Sequence, residues 1–162
     1  MIHILTTGGT IEGLDCDQKQ SAGKTSLSNF LEAANVSFSF SIEEVFQKDS
    51  RFITFDDREY LAEKVQTSES SKILISHGTF TMEETAKHIA DRKINKTIVL
   101  TGSFILGSSR NTDAPFNLGY AICALQFLKP DVYVAMNGRI FHWSNVAKNL
   151  KTNKFESKDE TQ

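Results

Sequence analysis

The chain has 162 residues, of which 40% are hydrophobic and 23% charged, and its formal net charge is −2 at pH 7. These values are typical of one globular domain, and they argue against nucleic acid or an anionic membrane as a partner. The longest apolar runs are too short to span a bilayer, so we predict no membrane segment and no secretion signal. Cys16 and Cys123 match no metal-binding spacing, and we expect both to be reduced in a cytoplasmic protein.

Short strands and helices are predicted to alternate along the chain. In chain order, the predictions are a strand at 2–6, a helix at 26–34, an alternating strand at 36–42, a helix at 55–67, a strand at 73–76, a helix at 81–93, a strand at 97–101, a helix at 113–127 and a strand at 132–136. This order favours an α/β fold of three layers, α/β/α, with a mostly parallel sheet.

Two of the predicted helices carry more specific signals. Thr81 and Glu84 have the spacing of a capping box, in which the threonine caps the helix that follows. The helix at 113–127 is expected to bury an apolar stripe. That stripe comprises Phe116, Ala121, Ala124 and Leu125.

Three of the predicted strands end in small residues with hydroxyl groups and glycine. These ends read TTGGT, SHGT and LTGS. Ligands of open α/β sheets bind beyond the carboxyl ends of the strands, so the three segments are expected to meet. The sequence therefore predicts one pocket lined by hydroxyls and backbone N–H groups.

Two glycine motifs and the histidines do not form cofactor or metal sites. SAGKTS lacks the earlier small residue of a phosphate-binding loop, because Gln18 takes that position, and GGTIEG lacks the G-x-G-x-x-G spacing. The histidines fall in separate elements with no zinc-ligand spacing; they are His3, His77, His88 and His142. We predict no metal and no cofactor, although His77 is placed to line the pocket.

The remaining candidates for a reactive group at the strand ends are the threonine side chains. A threonine hydroxyl attacks an amide only when a base takes its proton, and a buried, neutral lysine can be that base. Backbone N–H groups of a glycine-rich turn can stabilise the oxyanion that forms. These parts together indicate an amide hydrolase.

Four segments, in this order, resemble the bacterial-type L-asparaginases. They are TTGGTIEG, SHGTFTMEETA, IVLTGSF followed by NTDAPFNLGYA, and VYVAMNGRIF. The resemblance runs from about residue 2 to residue 156. It implies the α/β fold of the asparaginase N-terminal domain and hydrolysis of the side-chain amide of L-asparagine, or of a related small amide, to acid and ammonia.

The resemblance also implies how the chain is organised. Most members of the family carry a second, C-terminal domain, and this chain resembles a short, single-domain form. We expect the α/β domain at residues 1–150 and a polar tail at residues 151–162. A homodimer that binds a small-molecule substrate is the expected assembly.

Site residues follow from the resemblance position by position. Thr10 matches the nucleophile, and Thr79 matches the second threonine, which helps to activate a nucleophile or a water molecule. Ser50 falls where a family serine holds the α-carboxylate of the substrate, although Asp-Ser before a helix is also ordinary turn chemistry. Gly9 and Gly78 would let the backbone approach the substrate.

Two lysines compete for the role of the lysine partner. Lys148, in NVAKN, is the better match, placed as in short forms of the family. Lys154, in NKFES, is the alternative. A surface-exposed lysine is the ordinary reading for either of them.

Two residues of the expected site depart from the family pattern. Phe80 stands where the family has an aspartate that faces the α-amino group, and an aromatic ring replaces that ion pair only in part, by about 0.5–2 kcal/mol. Arg51 follows Ser50 where the larger enzymes carry glutamine. A guanidinium there favours a second acid group on the ligand.

The loop after the first motif departs as well. The family uses a loop tyrosine to activate its nucleophile, and residues 11–40 contain no tyrosine. The carboxylates that are candidates for a base there are Glu12, Asp15 and Asp17.

Two functions of different classes follow from these matches and departures. The first is an amidohydrolase that works through a Thr10 acyl-enzyme. The alternative is a catalytically inactive or substrate-shifted relative that binds a small acidic metabolite.

Overall fold

The computed structural model describes residues 1–14 and 27–160. Within these ranges the main sheet has six strands in the order β2-β1-β3-β4-β5-β6, of which the first five are parallel and β6 runs antiparallel to β5. The strands are β1 (Ile2–Thr6), β2 (Phe40–Glu44), β3 (Lys72–Ser76), β4 (Thr97–Thr101), β5 (Asp131–Met136) and β6 (Arg139–His142).

Helices cover both faces of this sheet. They are α1 (Leu27–Ala33), α2 (Phe55–Thr67), α3 (Met82–Asp91) and α4 (Ala114–Phe127). Side chains of α2 and α3 pack on one face, around Ile73 and Ile75, whereas α1 and α4 pack on the other, around Leu74 and Val99. The predicted three-layer α/β fold is therefore confirmed, because successive residues of β3 and β4 bury on opposite faces.

The alternating segment forms an edge strand that begins further along the chain than predicted. The prediction placed it at 36–42, whereas β2 spans Phe40–Glu44 and pairs with β1 from Ile2 opposite Phe40. As an edge strand β2 is only partly covered: Phe40 and Glu43 are half-buried, whereas Ser41, Ile42 and Glu44 are exposed.

The predicted capping box at α3 is wrong. The hydroxyl of Thr81 donates instead to the carbonyl of Ser50, at 2.7 Å, and makes no cap hydrogen bond. The capping box of the structure lies at α2, where Thr54 and Asp57 bond reciprocally. At Thr81, a hydrogen bond to a carbonyl distant in sequence replaces the cap hydrogen bond that the local pattern predicts.

The predicted apolar stripe of α4 is partly wrong. Ala121, Ala124 and Leu125 are buried, but Phe116 points outward and stacks on Tyr120 at the surface. Small residues on the inner side of α4 bring the helix close to the sheet, and the bulky ring lies on the outer side.

A second hairpin follows the main sheet and leads to the site. It consists of β7 (Ala147–Asn149) and β8 (Lys154–Glu156), with Lys148 opposite Phe155. Phe155 is buried in the core that α2 and α3 share. The domain boundary expected at residue 150 therefore falls inside this hairpin.

Phe155→Ala is expected to reduce the free energy of unfolding by about 3–5 kcal/mol, because it removes a fully buried aromatic ring. Urea denaturation followed by circular dichroism measures this change. Leu150→Ala, at an exposed position of the same hairpin, is the control and should change stability by less than about 0.5 kcal/mol. Equal effects of the two substitutions would contradict the anchoring role of Phe155.

Two further classes of feature are not found within residues 1–14 and 27–160. No helix there is long and apolar enough to cross a bilayer. No group of three or more His, Cys, Asp or Glu side chains is arranged to hold a metal ion.

Candidate active site

The first strand end turns sharply into a short 3₁₀ helix, Thr10–Glu12. Gly9 has φ of 80°, and a Cβ atom at this position would lie 2.7 Å from the backbone nitrogen of Gly78. Glycine is needed here both for the left-handed backbone and for the contact between two strand ends. The carbonyl of Thr10 accepts hydrogen bonds from the N–H groups of Gly13 and Gly107, which fixes the turn.

Ser50 joins the second strand end to a neighbouring loop. Its hydroxyl accepts a hydrogen bond from the backbone N–H of Phe80 at 3.1 Å, and its side chain packs so tightly against Gly78 that a Cβ atom there would clash. Ser50 is buried at the first position of a 3₁₀ helix, Ser50–Phe52. Its hydroxyl hydrogen can still be donated to a ligand.

Thr79 and Lys148 form a direct hydrogen-bonded pair. Lys148 Nζ donates to Thr79 Oγ1 at 2.9 Å, although the two residues lie on separate elements. The backbone N–H of Lys148 is held by the Glu83 carboxylate, at 3.2 Å, in the first turn of α3. Lys154, the competing lysine, is exposed and opposite Asn149 in the hairpin, and it does not line the pocket.

The surroundings of Lys148 favour its neutral form. Burial lowers the pKa of its amino group from the usual 10.5, and the positive charge of Arg51 lowers it further. Nζ lies 4.0 Å from the centroid of the Phe80 ring and 5.3 Å from that of Phe104. A lower pKa increases the fraction of the amine that is neutral at a given pH, and the neutral amine is the form that can act as a base.

Phe80 forms a wall of the pocket and leaves its interior open. Phe80 is 50% exposed, and its ring contacts both Lys148 and Arg51. The guanidinium carbon of Arg51, Cζ, lies 4.7 Å from the centroid of the ring. Arg51 is in turn held by Asp49, whose two carboxylate oxygens accept from Nε at 3.0 Å and from Nη2 at 3.3 Å.

These groups line one pocket with a volume of about 170 Å³. The residues to which the family resemblance assigned a catalytic or substrate-contacting role lie there. They are Thr10, Thr79, Lys148, Gly9, Ser50, Gly78 and Phe80. The alternative base candidates Asp15 and Asp17 lie outside the described residues, as does Cys16, whereas Glu12 belongs to the first 3₁₀ helix.

Sequence reasoning did not single out Ser103 and Phe104, which also line the pocket. Ser103 is 1% exposed, and its hydroxyl has no hydrogen-bond partner among the described residues. The strand end LTGS was the signal that pointed to this position. No local pattern marks Phe104.

His77 lies beneath the pocket and does not line it. Its Nδ1 is 2.7 Å from the carbonyl oxygen of Gly78, and because a carbonyl only accepts, Nδ1 carries the proton. Nε2 then accepts from the Thr85 hydroxyl at 2.9 Å, and Thr85 Oγ1 accepts from Arg58 Nε at 3.1 Å. Burial lowers the pKa of His77 to about 4, so a neutral ring fixes the peptide that precedes Thr79.

Comparison with known proteins identifies the family to which the chain is similar. Residues 1–161 match the family described as Asparaginase, N-terminal. The chain belongs to the asparaginase family. The family assignment and the parallel sheet agree with the resemblance seen in the sequence.

Individual asparaginases match over nearly all of this chain. It is 30% identical to a probable periplasmic L-asparaginase of Haemophilus influenzae, over 93% of this chain and 47% of that protein. It is 31% identical to a glutaminase-asparaginase of Pseudomonas fluorescens, over 96% of this chain and 48% of that protein. The solved structure of a probable cytoplasmic L-asparaginase from Campylobacter jejuni aligns with a TM-score of 0.82 at 29% identity, over 98% of this chain and 53% of that one.

The chain thus spans about half the length of these relatives. The relatives include proteins named as periplasmic and as cytoplasmic, so their names do not assign a compartment to this chain. The cytoplasmic location stays a prediction.

Proposed function

We propose that this chain hydrolyses the side-chain amide of L-asparagine, or of a related small amide, to the acid and ammonia, with Thr10 as the nucleophile. The observation that carries the proposal is the 2.9 Å hydrogen bond between Lys148 Nζ and Thr79 Oγ1 in the pocket that Thr10 also lines. Membership of the asparaginase family supports the reaction class.

The reaction would proceed in two stages. Thr10 Oγ1 attacks the amide carbon and loses its proton to a base, while the carbonyl electrons move onto oxygen. The neutral form of Lys148 can take the Thr79 hydroxyl proton, which reverses donor and acceptor in their hydrogen bond, and Thr79 Oγ1 then takes the proton of Thr10. Collapse of the intermediate breaks the C–N bond, and the nitrogen leaves as ammonia with the proton that the base took from Thr10.

The second stage returns the enzyme to its starting form. Water attacks the ester that Thr10 now carries, and the same base takes a proton from the water. The acid is released as the C–O bond to Thr10 breaks, and Thr10 Oγ1 takes the proton back from the base. The backbone N–H groups of the turn after β1 can stabilise the oxyanion of both stages. No step requires a metal or an organic cofactor.

A second candidate function is a relative of shifted substrate or lost activity that binds a small acidic metabolite. The observation that favours this candidate is the position of Phe80, whose ring centroid lies 4.0 Å from Lys148 Nζ. Phenylalanine has no carboxylate to pair with that amine. Within the described part of the chain, the Lys148 amine donates to Thr79 and to no carboxylate, and Glu83 holds the backbone N–H of Lys148.

Ammonia release tests the two candidates. With millimolar L-asparagine, we expect release by the wild-type protein and a loss of at least about 100-fold in Thr10→Ala, because the nucleophile is gone. Phe80→Asp is the companion variant. Ammonia release by Phe80→Asp alone would identify Phe80 as the side chain that disables the asparagine site. If none of the three proteins releases ammonia, hydrolysis of asparagine is contradicted.

A further inference from the structure

The outer side of α4 carries no charge. The helix has 14 residues, and none of them has a charged side chain. A helix that covers a sheet normally turns charged residues toward water, whereas an uncharged, largely apolar helix is normally covered on all sides. The inner side of α4 packs on the sheet through Ala121 and Leu125, and the outward residues are apolar apart from Gln126. The composition of α4 therefore indicates that its outer side is covered as well.

Exposed apolar residues follow one another along this outer side. Phe116, Tyr120, Cys123 and Phe127 have the spacing of residues on one face of a helix, and Gly119 lies between them. We call these five residues the outer stripe. Phe127 is 82% exposed, Phe116 is 61% exposed, and the Phe116 ring stacks on Tyr120. Exposed aromatic surface of this kind is typical of a site of protein contact.

The edge of the sheet continues this apolar surface. Ile140 of β6 lies directly opposite Ala135 of β5, so both side chains point to the same face of the sheet. Ala135 is buried in the core that α4 covers, and Ile140 is half-exposed beside it. Gly138 lies against the Phe116 ring, since an added Cβ atom would be 3.4 Å from Cζ of that ring. The apolar surface therefore extends from the outer stripe to β6.

The order of residues in the outer stripe suits a second copy of α4 that runs antiparallel. With a twofold axis at the midpoint of the stripe, Phe116 of one copy lies opposite Phe127 of the other, and Tyr120 lies opposite Cys123. A Cβ atom added at Gly119 would meet no other group of the described chain within 4 Å. Large rings thus lie at both ends of the contact, and Gly119 and Cys123 near its centre let two helices approach closely.

The charges beside α4 favour the same arrangement. Asp113 precedes the helix and Lys129 follows it. In an antiparallel pair, Asp113 of each copy lies near Lys129 of the other, whereas a parallel pair would bring like charges together. We propose that the outer stripe is the interface of a homodimer in which two copies of α4 pack antiparallel. The interface does not depend on whether the pocket hydrolyses an amide.

Cys123 provides a direct test because it lies beside the expected twofold axis. A rise of about 1.5 Å per residue and helix axes about 8–10 Å apart place the two Cys123 Cα atoms roughly 6 Å apart, within the range of a disulfide. Under oxidation with copper–phenanthroline, we expect a covalent dimer of Cys16→Ser on a non-reducing gel. Cys123→Ser should stay monomeric on the same gel. A dimer that forms equally in Cys123→Ser, or that fails to form in Cys16→Ser, would overturn the proposal.

Gly119→Glu tests the interface without removing a side chain. The position is exposed and has open space, so the monomer should remain folded. In sedimentation equilibrium, we expect the dissociation constant of the dimer to rise at least about tenfold, because two carboxylates face each other near the axis. Gln66→Glu is the matched control, since it adds the same charge at an exposed position of α2, across the sheet. It should leave the dissociation constant unchanged.

Pairing of opposite charges tests whether the occupant is a second copy. Gly119→Lys alone should also weaken the dimer, and an equal mixture of Gly119→Lys and Gly119→Glu should regain it as a mixed dimer. A wild-type protein that stays monomeric at about 100 µM would overturn the homodimer and leave the outer stripe to a different partner. A dimer that Gly119→Glu does not weaken would show that another surface forms it. If Gly119→Glu does not fold, the disulfide through Cys123 still decides.

Discussion

Lys148→Met is expected to lower the rate of ammonia release by about 10²–10⁴-fold, the range for loss of a general base. Methionine keeps an unbranched apolar side chain but has no amine to pair with Thr79 or to contact the rings of Phe80 and Phe104. Steady-state kinetics with the amide substrate measure the effect. Lys154→Met is the matched control, because this lysine belongs to the same hairpin and is exposed outside the pocket.

The same base predicts the pH dependence of the rate. Lys148 must be neutral to accept a proton, so the rate should rise with pH as the amine loses its own proton. Because burial and then Arg51 lower the pKa of Lys148, the midpoint of this rise should lie below 10.5. Arg51→Gln should move the midpoint to higher pH, and an unchanged midpoint would contradict the electrostatic contribution of Arg51. Retention of more than a tenth of the rate in Lys148→Met would contradict the role of the amine.

Acidification from pH 6.5 to about 4 is expected to remove roughly 3 kcal/mol of stability through His77 alone. The folded protein holds this ring neutral, with a pKa of about 4, whereas an unfolded histidine takes up a proton near pH 6.5. The unfolded state therefore binds more protons between these values, and stability rises with pH across this window. Urea denaturation at a series of pH values measures the slope.

His77→Gln isolates this contribution from the carboxylates that titrate in the same range. The variant should be less stable at pH 7, because the hydrogen bonds to Gly78 and Thr85 change, but it should lose the part of the slope that His77 provides. His142→Gln, at a half-exposed surface histidine, should retain that part. A slope that is the same in His77→Gln and in the wild type would show that the buried ring does not titrate in this way.

Much of the fold could be predicted because its determinants are local. Continuous apolar runs at β1, β3, β4 and β5 indicated buried parallel strands, and the segments 55–67 and 81–93 between them were predicted as helices, which are α2 and α3 of the structure. Where the local pattern failed, a distant group had intervened. Thr81 has the spacing of a helix cap, yet its hydroxyl donates to the Ser50 carbonyl, 31 residues away in sequence.

The candidate site divides in the same way. The sequence by itself determined which residue types stand at the strand ends, so Thr10, Thr79 and Ser50 could be named from motif and order. Only the tertiary structure decided that Lys148 and not Lys154 reaches Thr79, because burial of Phe155 fixes the register of the hairpin. It also decided that the Phe80 ring contacts both Lys148 and Arg51, and that Ser103 is buried without a partner among the described residues. Such contacts join segments that are distant in sequence.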